Sequence, residues 1–226
     1  MTGQEVYDIL VAQGVMSLHH ANSVGTSISL LKLGGLASRQ VVEQAGLPQT
    51  GQYTDDIDRK FDIWGCVFLD TFDIHARISN RNQYGPVLFT LSVEVLRGLP
   101  AAAQVLVTRK NPSKWLETDS DVQRCFLSAA EMREGFSVGT FDQMLVIRTN
   151  DRFVPFGQYL QTITLDEPLL TKGEGPEFRA AADALDNAAL ASGLQVKVMR
   201  RSCWSCKCTT TYASNSALIP RFYSPQ

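Results

Sequence analysis

Apolar residues recur along this chain with two different periods. Val6, Ile9, Leu10 and Val11 have helical spacing that stops at Gly14, which predicts a short first helix over 6–13. Residues 16–20 read as a first strand. Asn22 or Ser23 then stands where a helix cap belongs, and Ile28, Leu30, Leu31 and Leu33 are the apolar positions of the helix it opens. Gly34-Gly35 ends that helix by supplying positive-φ backbone. A further short helix is expected over 38–45, before Gly46-Leu47-Pro48, and 49–58 reads as a polar loop.

The middle of the chain changes texture. Residues 64–69 and 85–95 are rich in β-branched and aromatic side chains and predict strands. Pro86-Val87-Leu88-Phe89-Thr90-Leu91 is almost continuously apolar, as a strand buried on both faces is. Another strand is expected over 101–108, a turn or helix start at Asn111-Pro112-Ser113, and a helix over 119–133 on Val122, Cys125, Phe126 and Ala129. Late strands fall at 143–148 and 162–165. The clearest helical period covers 177–192, and 194–199 alternates like a final strand. No internal repeat or low-complexity linker interrupts this order. The elements make one α+β domain over 1–226, in which 170–226 form a C-terminal elaboration.

The bulk numbers narrow the class. A chain of 226 residues with 44% hydrophobic and 19% charged positions can build a core and is not composed like a disordered segment. The net charge of −2 excludes a globally basic nucleic-acid binder but not a local basic path through Arg77, Arg81, Arg109, Lys110 and Lys114. No apolar stretch approaches the ~20 residues of a membrane helix, and no signal peptide opens the chain, so the cytoplasm is the expected compartment. Five cysteines then read as free thiols. Cys203, Cys206 and Cys208 have a spacing that can seed a zinc site. The fourth ligand would have to arrive from afar, from Cys66, Cys125 or a histidine, and incidental cysteines are the expectation.

The order of several short motifs carries more than any one of them. His20-Ala21-Asn22 precedes a helix and Gly34-Gly35-Leu36. Asp58-Arg59-Lys60 precedes the strand around Trp64-Gly65-Cys66-Val67-Phe68-Leu69. Gln143-Met144-Leu145-Val146 is followed by Val154-Pro155. This succession resembles DarT-like ADP-ribosyltransferases over roughly residues 16–165, as a distant relative of toxin or phage-defence type. The family opens with a His-x-Thr element and a Gly-Gly-Leu turn, continues with a basic element, and ends on a strand bearing a catalytic glutamate. The resemblance implies a split β-sheet core flanked by helices, NAD as substrate, a nucleic-acid acceptor (a DNA or RNA base) and an antitoxin partner protein. It places His20 on the family histidine, Asn22 on its threonine and Gln143 on its glutamate.

The chemistry explains why these residue types matter. Cleaving the nicotinamide–ribose bond of NAD builds positive charge on the ribose, which an enzyme stabilises by fixing the nucleotide and placing negative charge nearby. His20 and Asn22 are the candidates for gripping the ribose and carboxamide. Arg59 is the candidate cation for the diphosphate or the target base, with Arg39 competing for the role. Tyr84 and Phe89 are candidates for stacking on nicotinamide, and Asp70, Asp73 and His75 form a polar patch that could serve the acceptor. Glutamine at 143 keeps the size of glutamate and loses its charge, which marks either a natural pseudoenzyme or an inactivated form. The competing readings are transfer to a protein side chain and a catalytically dead nucleotide-binding module. A plain hydrolase finds no Gly-x-Ser-x-Gly or paired-carboxylate motif.

Overall fold

The computed structural model of the protein describes residues 1–78, 81–169, 175–203 and 206–225, with only the backbone described for Arg77 and Ile78. The chain opens with α1 (Gly3–Ala12), whose Thr2 and Glu5 form a capping box, and turns into β1 (Ser17–Asn22). Ser23 caps α2 (Val24–Leu33) by accepting from the Thr26 amide, and Gly34 closes it at φ 78°. Two short elements follow, β2 (Gly35–Ala37) and α3 (Arg39–Gln44), the latter capped by Ser38. Such serine caps contribute about 1 kcal/mol each.

The stretch expected to be a polar loop contains α4 (Asp55–Lys60). Three acids, Asp55, Asp56 and Asp58, crowd its first turn, where the helix dipole favours negative charge. Next come β3 (Val67–Leu69), α5 (Ile74–Ile78) and β4 (Val87–Ser92). A short 3₁₀ turn separates β4 from β5 (Gln104–Thr108).

The single helix expected over 119–133 is broken into α6 (Asp121–Arg124), β6 (Cys125–Phe126) and α7 (Ala129–Gly135). Cys125 and Phe126 are taken from the helix to extend a sheet, pairing with Thr108 and Val107. Burial of Phe126 beside Phe136 outweighs local helix preference, and Ser128 restarts the helix by capping it. Then follow β7 (Leu145–Arg148), β8 (Phe153–Pro155) and β9 (Leu160–Glu167). The C-terminal part adds α8 (Pro176–Ala191), β10 (Val198–Ser202), α9 (Cys208–Ser214) and α10 (Leu218–Tyr223).

Among the described residues the strands form two four-stranded sheets and a small pair. One sheet has the order β1-β4-β9-β10, the other β3-β7-β5-β6, and β2 pairs with β8. As the apolar run predicts, β4 is interior, flanked by β1 and β9. Phe89 on β4 is fully buried, with its ring 5.0 Å from that of Phe156. The two large sheets touch through an isolated bridge in which the His19 and Asp70 backbones exchange hydrogen bonds of 2.8 and 2.9 Å. Packed between α8, α10 and β2, α2 is buried along Val24–Leu31, which suits its small and apolar residues. Among the described residues no helix is long and apolar enough to cross a membrane.

Candidate functional site

A cleft opens where the two sheets meet. Its walls are the end of β1, the start of α2, β3 and the turn after it, and the segments around Asn111 and Phe141. His20, Asn22, Arg39, Asp58, Asp70 and Tyr84 are among its polar groups.

His20 and Asn22 share one face of β1, because residues two apart on a strand point the same way. The His20 Nδ1 lies 2.8 Å from the Phe68 carbonyl of β3. A carbonyl only accepts, so Nδ1 carries the proton and Nε2 is the acceptor. The Asn22 amide Nδ2 donates to that Nε2 at 3.2 Å, and its Oδ1 accepts from the Ser23 amide at 3.2 Å. Burial holds the His20 pKa below the ordinary imidazole value, against the pull of the Phe68 bond. The ring is therefore neutral, and both residues of the couple belong to the cleft lining.

Gly85 is part of this arrangement. Its φ is +141°, and a Cβ there would stand 2.3 Å from the Asn22 carbonyl carbon and oxygen. Only a residue without a side chain lets the turn before β4 run that close behind Asn22.

Arg39 approaches from the first turn of α3. Its Nη2 donates to the Thr50 carbonyl at 3.1 Å and to Asp55 at 3.0 Å, while Nη1 is buried without a hydrogen-bond partner among the described residues. Asp58 lies one helical turn after Asp55, and its side chain is 5% exposed. Burial first, then the neighbouring Asp55 carboxylate, raises its pKa to about 7, against the attraction of Arg39. Tyr84 stacks on Tyr53 with ring centroids 6.0 Å apart, and the two hydroxyls are 3.3 Å apart.

Three expected site residues are placed elsewhere. Gln143 precedes β7 and is outside the cleft lining: its Oε1 accepts from the Ser137 amide at 2.6 Å and its Nε2 donates to the Gly135 carbonyl at 3.2 Å. Arg59 is turned to the outside of α4, paired with Glu43 at 3.1 Å and stacked 3.7 Å over the Trp64 ring. Phe89 belongs to the core and offers no surface to a ligand. Of the two arginines that sequence left in competition, the cleft takes Arg39.

Asp58 is the residue that the sequence reading overlooked. It was treated as the lead-in to a basic pair, yet the 100° turn between helical neighbours sends Asp58 inward and Arg59 out. The spacing of Asp55 and Asp58, three apart on one helix face, was the available signal. The expected basic path is largely neutralised: Arg109 pairs with Glu131 at 2.8 Å, Lys110 with Asp119 at 2.7 Å and Lys114 with Asp142 at 2.7 Å. Arg81 lies against the Phe222 ring at 4.9 Å, and the Arg77 side chain is outside the described residues.

Beside the cleft, Arg201 of β10 bridges Asp73 and the buried Asp166. Adjacent to that network His75 faces the three C-terminal cysteines, with Nε2 3.7 Å from the Cys203 sulfur and Nδ1 3.8 Å from that of Cys208.

No family model matches the chain, and no curated protein does. Among solved structures it is similar to DarT of Thermus sp. 2.9 in complex with ADP-ribosylated single-stranded DNA, with a TM-score of 0.52 and 10% sequence identity, over 83% of this chain and 95% of that one. At that identity the likeness speaks for backbone architecture. The chain therefore has a DarT-like ADP-ribosyltransferase fold, an α+β core with a split sheet.

Proposed function

We propose that this protein is an NAD-dependent ADP-ribosyltransferase that modifies a base in a nucleic acid. The observation that carries the reading is the His20–Asn22 couple, oriented from β3 and set in the lining of a cleft that also holds Arg39, the buried carboxyl of Asp58 and the ring of Tyr84. In this reading the free Asn22 N–H grips the carboxamide or a ribose hydroxyl. Arg39 turns its unpartnered Nη1 to the diphosphate, and Tyr84 stacks on the nicotinamide.

Departure of nicotinamide leaves cationic character at the ribose, and a nearby carboxylate lowers that barrier. Asp58 is the cleft carboxyl suited to the task. With a pKa of about 7 it is divided between acid and base near neutrality, as a group that accepts a proton from an incoming nucleophile must be. Gln143 is then a positioning residue that holds the loop presenting Phe141 and Met144 to the cleft. The acceptor is proposed from the DNA carried by the similar structure, and a toxin or defence role with an antitoxin partner, in the cytoplasm, accompanies the same reading.

One observation favours a second reading, a nucleotide-binding module without turnover: no carboxylate stands at position 143. A two-step experiment separates them. Thermal melting with increasing NAD tests binding, and isotope-labelled NAD incubated with single-stranded DNA, RNA and protein tests transfer. The proposal expects an NAD-dependent rise in melting temperature and label on nucleic acid. A rise without label supports the binding module, and no rise overturns both.

A further inference from the structure

We propose that His75, Cys203, Cys206 and Cys208 form a structural zinc site that ties the C-terminal segment to the wall of the cleft. One ligand atom from each of these residues lies within 4.8 Å of every other. With Zn–S bonds of about 2.3 Å and a Zn–N bond of about 2.0 Å, the edges of a tetrahedral site are about 3.5–3.8 Å. The measured 3.7 Å between His75 Nε2 and Cys203 already matches such an edge, so the rest of the shell closes by movements of about 1 Å or less.

The surroundings are those of a ligand set. His75, Cys203 and Cys208 are buried at 9%, 3% and 2% exposure, while Cys206 is partly exposed and gives an entering ion a path. The Cys208 backbone amide points at the Cys206 sulfur at 3.3 Å, a hydrogen bond of the kind that a metal-bound sulfur accepts. Asp166 stands 3.6 Å from His75 Nδ1. With that carboxylate beside Nδ1, the nitrogen placed on the metal is Nε2, 3.7 Å from the Cys203 sulfur. Arg201 in turn fixes Asp166 by two contacts, at 2.5 and 3.1 Å.

Binding displaces three thiol protons to solvent and leaves a zinc bearing three thiolates and one neutral imidazole. Four protein ligands fill the tetrahedron, so the ion has no open position for water or substrate and its role is structural. The site joins distant parts of the chain. His75 follows Ile74 and the Phe72 turn, which line the cleft beyond β3, whereas the cysteines follow β10 of the other sheet. The inference stands independently of what the cleft binds.

The test is the metal content of the chain purified under reducing conditions with zinc present. One zinc per chain is expected, with three thiols shielded from an aromatic disulfide reagent until a chelator is added. Cobalt substitution should give thiolate-to-metal charge transfer and tetrahedral d–d bands. Cys206→Ser, at the partly exposed position, should lose or strongly weaken zinc, Asp166→Asn should weaken it about 10–100-fold, and Cys125→Ser should retain it. Cys206→Ser retaining full zinc would overturn the proposal. So would a folded chain without zinc whose five thiols react alike with and without chelator, or a cobalt spectrum lacking the thiolate band.

Discussion

The Asn22 amide nitrogen stands 3.2 Å from Nε2 of His20, so the two residues act as a unit in which the ring orients the amide. Replacing the ring should remove the orientation as well as the ring. On the proposed function, NAD at 100 times its Kd should add about 2.7 kcal/mol of stability to the native chain. His20→Ala should abolish the corresponding rise in melting temperature, and Asn22→Ala should weaken it at least about tenfold in NAD concentration, the scale of one hydrogen bond. An unchanged NAD titration in His20→Ala removes the couple from the site.

The two arginines give a paired test. Arg39→Ala should lose NAD binding, because the one arginine of the cleft lining is gone. Arg59→Ala breaks a surface pair with Glu43 that is half exposed and contributes about 0–1 kcal/mol, and should leave the NAD titration unchanged. Isothermal calorimetry on both variants reads this directly, and the reverse order of effects would return the role to Arg59.

Asp58 makes a signed prediction about pH. Its folded pKa of about 7 exceeds the reference value of 3.8, so the native state binds the additional proton. Its favourable contribution is complete below about pH 3.8 and is lost as pH rises through about 7. Asp58→Asn, which fixes the neutral form, should therefore raise the melting temperature at pH 8 by an amount worth roughly 1–3 kcal/mol more than at pH 4, close to the reference value. If transfer activity is measured, its rise with pH should have a midpoint near 7 that this variant abolishes. Equal melting shifts at both pH values would contradict the buried, protonated state.

Gln143 is tested by restoring a carboxylate. In Gln143→Glu the bond from the Ser137 amide survives, while a carboxylate oxygen meets the Gly135 carbonyl where an N–H had donated. As a loop-holding residue it should cost roughly 1 kcal/mol of stability and leave NAD consumption unchanged. A rise in consumption of about 10²-fold or more would instead place residue 143 at the reacting ribose.

Much of the architecture was legible because it rests on local signals. Ser23 and Ser38 announce their helices, Gly34 ends one, and the apolar run through Phe89 marks an interior strand. The failures share a cause. Phe126 leaves a helical pattern for a two-residue strand because a partner in β5 and a neighbour in Phe136 are available, and neither is visible from spacing. The same holds for the site. His20 and Asn22, named from the motif order, come to the cleft together because strand alternation gives them one face. Arg59 and Phe89 have suitable chemistry but the wrong direction, one turned to solvent and the other to the core. His75 met three cysteines more than a hundred residues away, a contact that topology supplies and spacing does not.

Gly85 shows that a binding surface can depend on an atom that is missing. It has no side chain to offer a ligand, yet any methyl group there would collide with the Asn22 backbone. The position of the Asn22 amide thus depends partly on how closely two backbone segments can pass. A comparison of side-chain chemistry alone would score position 85 as silent, although it is among the least replaceable positions around the cleft.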